Sequence, residues 1–276
     1  MGKRNAFAQK LTAAPYLVWL AVFVIVPLIM VAYFAFVVDD GKFTLEYIKN
    51  VGKYGEIFMR SITLAAIATV ICLAIAYPIA FILSRMSANA QGTMLMIVML
   101  PMWMNFLLRT YAWMTLLGNE GLINSFFGLF GLGPFKMLNT QGAIVLGMVY
   151  NYLPYMILPI YSVMVKIDNS ILEAASDLGC NKLLTTLKIV VPLSIPGIMS
   201  GITMVFVPAI STFIISRMLG GGGNLLIGDL IEMQFLGNAY NPNLGAAISL
   251  VLMVIVLIIM ALMKQIDSSD DERVLM

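Results

Sequence analysis

Histidine is absent from this chain of 276 residues, and cysteine occurs only twice. The absence of histidine removes the commonest general base and metal ligand, and with them most hydrolase mechanisms and most zinc sites. Cys72 lies inside an apolar run and Cys180 in a polar segment, so we expect the two thiols at different depths. Neither a disulfide nor a metal site is therefore predicted.

Charged residues are also scarce, at 11% of the chain, and the formal net charge is only +2. A nucleic-acid-binding protein needs a basic surface, so no nucleic-acid partner is predicted. Hydrophobic residues make up 61% of the chain, whereas a soluble domain has about 45–50%. Apolar runs of about 20 residues recur, each long enough to cross about 30 Å of hydrocarbon. These features predict an all-α polytopic membrane protein.

Six transmembrane helices are predicted. The first follows a basic segment, as in a signal peptide, but its apolar run is too long and lacks a small-residue cleavage site, so we expect an uncleaved span. The chain divides into an N-terminal part (1–56) with the first helix, a membrane domain (57–263) and an acidic tail (264–276). The predicted spans are 17–37, 61–83, 93–117, 142–165, 195–215 and 246–263.

The distribution of lysine and arginine predicts the orientation of these spans. With the N-terminus inside, nine of the basic residues fall in cytoplasmic segments and six in outer segments. This bias places both termini and the polar segment at about 166–194 in the cytoplasm.

A polar loop between the fourth and fifth spans is the most informative segment. Ser170-Ile171-Leu172-Glu173 has the form of a capping box, in which Ser170 and Glu173 each accept the other's backbone N–H. Gly179 is positioned to end the helix in a left-handed turn. A second helix at about 182–190 would then lead to Pro192 and back into the membrane. Such a loop predicts a docking site for a soluble partner.

The spacing Glu173-Ala174-Ala175, Gly179 and Pro192 resembles the EAA loop of bacterial ABC-importer permeases, E-A-A-x-x-x-G followed by I-x-L-P. Val191 replaces the usual leucine. The resemblance implies the type I ABC importer permease fold, in a bacterial inner membrane, with this loop as the helix that couples to a cytoplasmic ATPase. It implies close approach at the two alanines and a carboxylate offered to the ATPase by Glu173. The implied coupling residues are Glu173, Ala174, Ala175, Asp177, Gly179 and Pro192.

The same resemblance implies the partners: a second permease subunit, two ATPase subunits and an extracytoplasmic substrate-binding protein. The chain contains no G-x-x-x-x-G-K-[ST] stretch, so ATP is expected on the partner subunits and no cofactor on this chain. The chain is accordingly predicted to be a transport subunit and not an enzyme.

Three further segments resemble the spermidine/putrescine branch of these permeases; they begin at Leu100, Tyr150 and Leu226. A linear polyamine cation needs carboxylates, and aromatic faces can hold its ammonium groups. The aromatic residues are equally consistent with interfacial belts and ordinary packing. The candidate pathway residues are Trp103, Arg109, Tyr111, Trp113, Tyr150, Tyr152, Asp229 and Glu232.

Arg109 differs from the other candidates because it would repel a cation. An arginine within a membrane span usually faces protein or water. We therefore predict an ion pair between Arg109 and one of Glu120, Asp229 or Glu232.

Three alternatives remain at this point. The same architecture could carry another solute, such as an inorganic anion, a metal complex or another organic molecule. A stand-alone ion-driven carrier would need acidic residues within the spans, and Glu120, Asp168, Glu173 and Asp177 all lie outside the predicted ones. A membrane enzyme is disfavoured by the absence of histidine and of paired intramembrane carboxylates.

Overall fold

The computed structural model describes residues 15–37, 42–237 and 239–274, with side chains described as far as 265. The basic N-terminal segment and the side chains of the acidic tail therefore lie outside the described residues. No named strand occurs in the described ranges; the extended backbone makes one isolated bridge, Val37 with Phe43. An all-helical chain is what hydrocarbon requires, since a helix satisfies its backbone hydrogen bonds internally.

The helices are numbered here in chain order. They are α1 (Pro15–Phe36), α2 (Glu46–Val51), α3 (Gly55–Ser84), α4 (Ala88–Trp103), α5 (Phe106–Leu117), α6 (Leu122–Gly128), α7 (Gln141–Met164), α8 (Asn169–Asp177), α9 (Lys182–Ile210), α10 (Ile214–Gly220), α11 (Ile227–Leu236) and α12 (Pro242–Val274).

Five helical stretches of the described residues are long and apolar enough to cross a membrane. Four are the single helices α1, α7, α9 and α12, and the fifth is α2 continued by α3. The predicted third span, 93–117, is wrong as a single helix. It is divided into α4 and α5, which meet at a bend of 86°. Counting the bent pair as one span gives six.

The bend has a local cause. Pro101 lies near the end of α4, and Met104 has extended backbone angles (φ −76°, ψ 147°). Asn105 then begins a new helix, because its Oδ1 accepts the backbone N–H of Leu107 at 2.8 Å and that of Leu108 at 3.4 Å. A side-chain cap in the middle of an apolar run ends one helix and begins the next.

The predicted fifth span, 195–215, is also displaced. Helix α9 begins at Lys182, as expected, but does not end near Val190; a π-helical turn at Thr186–Val190 carries it without interruption to Ile210. Pro192 falls at the start of the regular α-helical part, directly after this π-helical turn. The loop helix and the membrane helix are thus one element.

The chain forms two compact units. One contains the described residues up to Gly55 together with Leu230–Ile255, and the other contains Glu56–Asp229 with the chain from Val256 onward. The larger unit is built on the packing of α7 against α9. A Cβ at Gly197 would lie 2.9 Å from the carbonyl oxygen of Pro159 and 3.1 Å from Cα of Ile160. The two backbones therefore approach as closely as glycine allows.

Candidate coupling loop and membrane pathway

Helix α8, the short helix of the polar loop, begins differently from the prediction. Its N-cap is Asp168, whose Oδ1 accepts the backbone N–H of Ser170 at 2.9 Å. The predicted capping box of Ser170 with Glu173 is therefore wrong. The same hydrogen bond lowers the pKa of the Asp168 carboxyl, because it stabilises the charged form.

The end of α8 follows the prediction for Gly179. This glycine has φ +83°, and its N–H donates to the carbonyl of Ser176 at 2.9 Å. The Cys180 N–H donates to the carbonyl of Ala175 at 3.0 Å. This pair of hydrogen bonds is a Schellman motif, which requires the left-handed conformation that glycine adopts most easily. Asn181 begins α9 at once, with its Oδ1 accepting from the N–H of Leu184 at 2.8 Å.

The exposed surface of α8 carries most of the predicted coupling residues. Glu173, Ala174 and Asp177 are exposed, whereas Ala175 is only 3% exposed. The expectation that both alanines allow approach of a partner therefore applies to Ala174, while Ala175 packs within the chain itself. Pro192 is half-buried in α9.

The structure leaves three leucines around the loop exposed, and the sequence analysis did not identify two of them, Leu183 and Leu187. Leu178 is 85% exposed, Leu183 71% and Leu187 58%. Large apolar side chains presented on a segment with few buried residues are typical of a partner contact. Their position on either side of Gly179, in an otherwise polar loop, was the available signal.

The pathway candidate Arg109 lies on α5 and is buried, with 8% of its surface exposed. Its guanidinium lies over the ring of Phe106, 5.8 Å from the centroid. Its Nε and Nη1 atoms make no hydrogen bond within the described residues. The ion pair of Arg109 with Glu120, Asp229 or Glu232 stays a prediction.

Trp113 and Tyr150 are brought together from α5 and α7. Their rings meet edge to face, with centroids 5.4 Å apart. Both line a cavity of about 730 Å³ whose walls are otherwise almost entirely aliphatic, and no carboxylate reaches it. This pair is the one aromatic contact between predicted pathway residues in the described part of the chain.

The remaining candidates are dispersed. Tyr152 is buried on α7, and its hydroxyl donates to the carbonyl of Pro208 at 3.4 Å. Asp229 is 1% exposed, and its Oδ2 accepts the Leu226 N–H at 2.9 Å. Trp103 and Tyr111 are 75% and 54% exposed, and Glu232 is half-buried.

Comparison with known families identifies the chain. Residues 76–269 match the family described as "Binding-protein-dependent transport system inner membrane component". The chain belongs to this family. The matched residues run from α3 to α12 and include the whole of α8 and the loop that follows it. The protein is accordingly a multi-pass membrane component of a transport system.

Several members of this permease family resemble the chain along most of its length. It is 37% identical over 257 residues to the spermidine/putrescine transport system permease protein PotB of Haemophilus influenzae, covering 90% of each chain. The Escherichia coli protein of the same name is 36% identical over 247 residues, covering 86% of this chain and 90% of that one. The E. coli inner membrane ABC transporter permease protein YdcU is 30% identical over 229 residues, covering 78% and 72%.

Solved structures confirm the fold expected of a permease. A bacterial ABC transporter involved in the import of the acidic polysaccharide alginate matches with a TM-score of 0.76, covering 96% of each chain at 14% identity. The alginate transporter in complex with a pentasaccharide-bound periplasmic protein matches with a TM-score of 0.78, covering 94% and 93%, also at 14% identity. The predicted ABC importer permease fold is thus correct.

Proposed function

We propose that this permease forms the membrane pathway of an ATP-driven importer and couples it to a separate ATPase. The observation that carries the proposal is α8, a short capped helix that leaves Glu173, Ala174 and Asp177 exposed between two membrane-spanning helices. ATP is bound by two partner ATPase subunits, since this sequence has no P-loop motif. A second permease subunit and an extracytoplasmic binding protein complete the complex.

The proposed contact with the ATPase has a charged part and an apolar part. Glu173 offers its carboxylate to a basic group of the ATPase, and Ala174 allows its backbone to approach. An exposed ion pair contributes only about 0–1 kcal/mol. Leu178, Leu183 and Leu187 supply the apolar part of the contact. Movement of the ATPase subunits then displaces α8 as a rigid body.

Polyamines are the proposed cargo. The support is the identity of 33–37% to permeases named for spermidine and putrescine, over 86–92% of this chain. The fold itself does not select the cargo, because a permease of similar fold belongs to a transporter of an acidic polysaccharide. Side chains along the transport pathway must therefore select the transported molecule.

The apolar cavity beside Trp113 and Tyr150 is a poor site for such a cation. Its walls offer no carboxylate, and an ammonium group would lose its hydration there without compensation. Only the faces of the two rings would attract it. Trp103, Tyr111, Tyr152, Asp229 and Glu232 therefore remain proposed pathway residues, and a direct ligand role for Arg109 is not proposed.

The proposed orientation places both termini and α8 in the cytoplasm of a bacterial cell, below the inner membrane. This follows from the excess of lysine and arginine on that side.

The proposal is tested by reconstituting the complete complex and measuring ATP hydrolysis with spermidine- or putrescine-loaded binding protein. Polyamine should stimulate hydrolysis in the wild type, and both Glu173→Ala and Gly179→Asp should abolish the stimulation. Glu56→Ala is the matched control, because this exposed carboxylate lies outside the loop, with its Oε1 3.7 Å from Nη2 of Arg60.

Two results would contradict parts of the proposal. Stimulation that survives both loop substitutions would refute the coupling role of α8. An assembled complex that ignores polyamine would keep the importer but exclude this cargo.

A further inference from the structure

A single arginine joins two turns that are far apart in the sequence. Arg85 follows the last residue of α3, and its Nη1 donates to the carbonyl of Ile167 at 3.1 Å and to Oδ1 of Asn169 at 2.6 Å. Ile167 and Asn169 lie at the start of α8. One guanidinium nitrogen therefore connects the end of a membrane helix to the beginning of the proposed coupling helix.

Few residues of α8 are buried against the rest of the chain. Of its nine residues, Ala175 is the one that is buried. A groove of about 470 Å³ separates α8 from Phe81 at the end of α3 and from the first turns of α9. The hydrogen bonds of Arg85 to Ile167 and Asn169 are polar contacts between the end of α3 and the start of α8.

The local geometry makes Asn169 available for this contact. Asp168 caps α8 with its own carboxylate, so the amide of Asn169 is not needed for capping. Nε and Nη2 of Arg85 are buried and make no hydrogen bond within the described residues, and the guanidinium lies 5.8 Å from the ring centroid of Phe81. The hydrogen bond from Nη1 to Asn169 is exposed, but its donor is charged, which makes it stronger than a hydrogen bond between two neutral groups.

The turn that carries Arg85 is itself held in place. Nε2 of Gln91 donates to the carbonyls of Ser84 at 3.3 Å and Met86 at 2.9 Å. Oε1 of the same glutamine accepts the hydroxyl of Tyr161, on α7, at 2.8 Å. Arg85 therefore lies on a turn that is fixed by hydrogen bonds. A movement of α8 would not be lost at this point in a flexible loop.

We propose that Arg85 is a positioning residue that makes α8 and α3 move together, so that displacement of the coupling helix is passed to α3 as well as to the helices on either side of α8. This inference rests on the proposed coupling role of α8. Arg85 itself is assigned no contact with ATP or with the transported molecule.

The test uses the complete reconstituted complex and compares spermidine transported per ATP hydrolysed. Asn169→Ala should lower this ratio by about fivefold, as expected for loss of one hydrogen bond. Arg85→Ala also loses the bond to the Ile167 carbonyl and should lower the ratio at least as far, and the double variant should match Arg85→Ala. Asn169→Asp keeps the acceptor and should retain the wild-type ratio. Arg85→Lys should be intermediate, because an ammonium lacks the planar fork. Lys166→Gln, an exposed neighbouring cation, is the control.

A second measurement follows structure directly. Amide hydrogen exchange in the first turn of α8 should be faster in Asn169→Ala and unchanged in Asn169→Asp. Should Arg85→Ala not assemble, the two Asn169 variants alone decide the matter, since they alter a single side-chain acceptor.

The outcomes separate this inference from the function on which it rests. If Gly179→Asp lowers the transport ratio and the Asn169→Ala ratio stays at the wild-type value, the link to α3 is wrong while the coupling loop stands. If Gly179→Asp also leaves the ratio unchanged, the coupling role fails and the inference fails with it. Independent, additive effects of Arg85→Ala and Asn169→Ala would equally overturn it.

Discussion

Helices α1 and α7 are both long enough to span a membrane, yet α1 is exposed and α7 is largely buried. The most apolar 18-residue window of α1 has a mean hydropathy of 2.7 and no buried residue, whereas that of α7 has a mean hydropathy of 1.5 and is 61% buried. The more apolar helix is thus the less buried one. Hydrocarbon is as apolar as a leucine side chain, so burial between membrane helices depends on close packing and not on hydrophobicity.

The sequence of α7 fits that explanation. It contains Gly147, Asn151 and Pro154, all of which are buried. A Cβ on Gly147 would lie 2.5 Å from a Leu219 side chain. Small and polar residues lower the hydropathy of α7 while allowing its neighbours to approach.

The largest expected effect comes from removing the same side chain from each helix. Ile160→Ala, at a position with no exposed surface on α7, should destabilise the chain by about 2–3 kcal/mol, because it leaves a cavity. Ile29→Ala on α1, where the isoleucine is 60% exposed, should change stability by less than about 0.5 kcal/mol. Equilibrium unfolding of the purified permease in mixed detergent measures both. Equal losses would break the comparison.

The next effect tests close approach. Gly197→Ala should destabilise by about 1–2 kcal/mol, since the new Cβ meets backbone atoms of α7 that cannot move aside. Gly92→Ala on α4 is the matched control, because nothing lies within 4 Å of its Cβ. That control should be neutral or stabilising by up to about 1 kcal/mol, from helix propensity alone. When unfolding is measured as before, Gly197→Ala should therefore lose stability and Gly92→Ala should not.

A smaller effect is expected from the buried amide of α7. Asn151 donates to the carbonyl of Gly147 at 2.8 Å, and its Oδ1 makes no hydrogen bond within the described residues. Asn151→Leu should shift stability by no more than about 1 kcal/mol, since it removes an acceptor that is already unsatisfied. A large loss in the unfolding measurement would mean that the amide has a structural partner which the described chain does not supply.

Helix α8 extends the comparison, because it also buries little but lies in a loop and not in a membrane span. Hydrogen bonding holds the pKa of Asp168 below its ordinary value. Its capping contribution is therefore fully present above the unfolded pKa, about 4, and is lost as the pH falls through the lower folded value. Amide exchange in α8, corrected for intrinsic rates, should accelerate only below about pH 4.

Asp168→Asn provides the control for this smallest effect. Asparagine also caps helices, so the variant should keep the protection of α8 and lose its pH dependence. Acceleration that begins near neutral pH, or persists in the variant, would assign the effect to another group.

Prediction from sequence succeeded where the signal is local. Gly179 ends α8 in the left-handed turn that was expected, and α7 lies within one residue of the predicted 142–165 at both ends. Prediction from sequence failed where a distant or competing side chain determines where a helix begins or ends. Asp168 replaced Ser170 as the cap of α8, and Asn105 divided an apolar run that hydropathy alone joins.

The proposed pathway shows the same limit. Trp113 and Tyr150 were candidates separately, but their contact exists because α5 and α7 meet. The link from Arg85 to Asn169 could not be inferred at all, since 84 residues separate the two side chains.

The sequence by itself determined that this protein is a helical membrane permease with a polar helical loop that ends in a glycine turn. Apolar length, a glycine turn and a characteristic spacing are short-range properties that need no knowledge of the fold. Only the tertiary structure decided which apolar helix is buried, where a span bends and which arginine holds the loop. These depend on backbones and side chains from distant segments meeting at atomic distances, and hydropathy, which averages over a window, carries no record of such contacts.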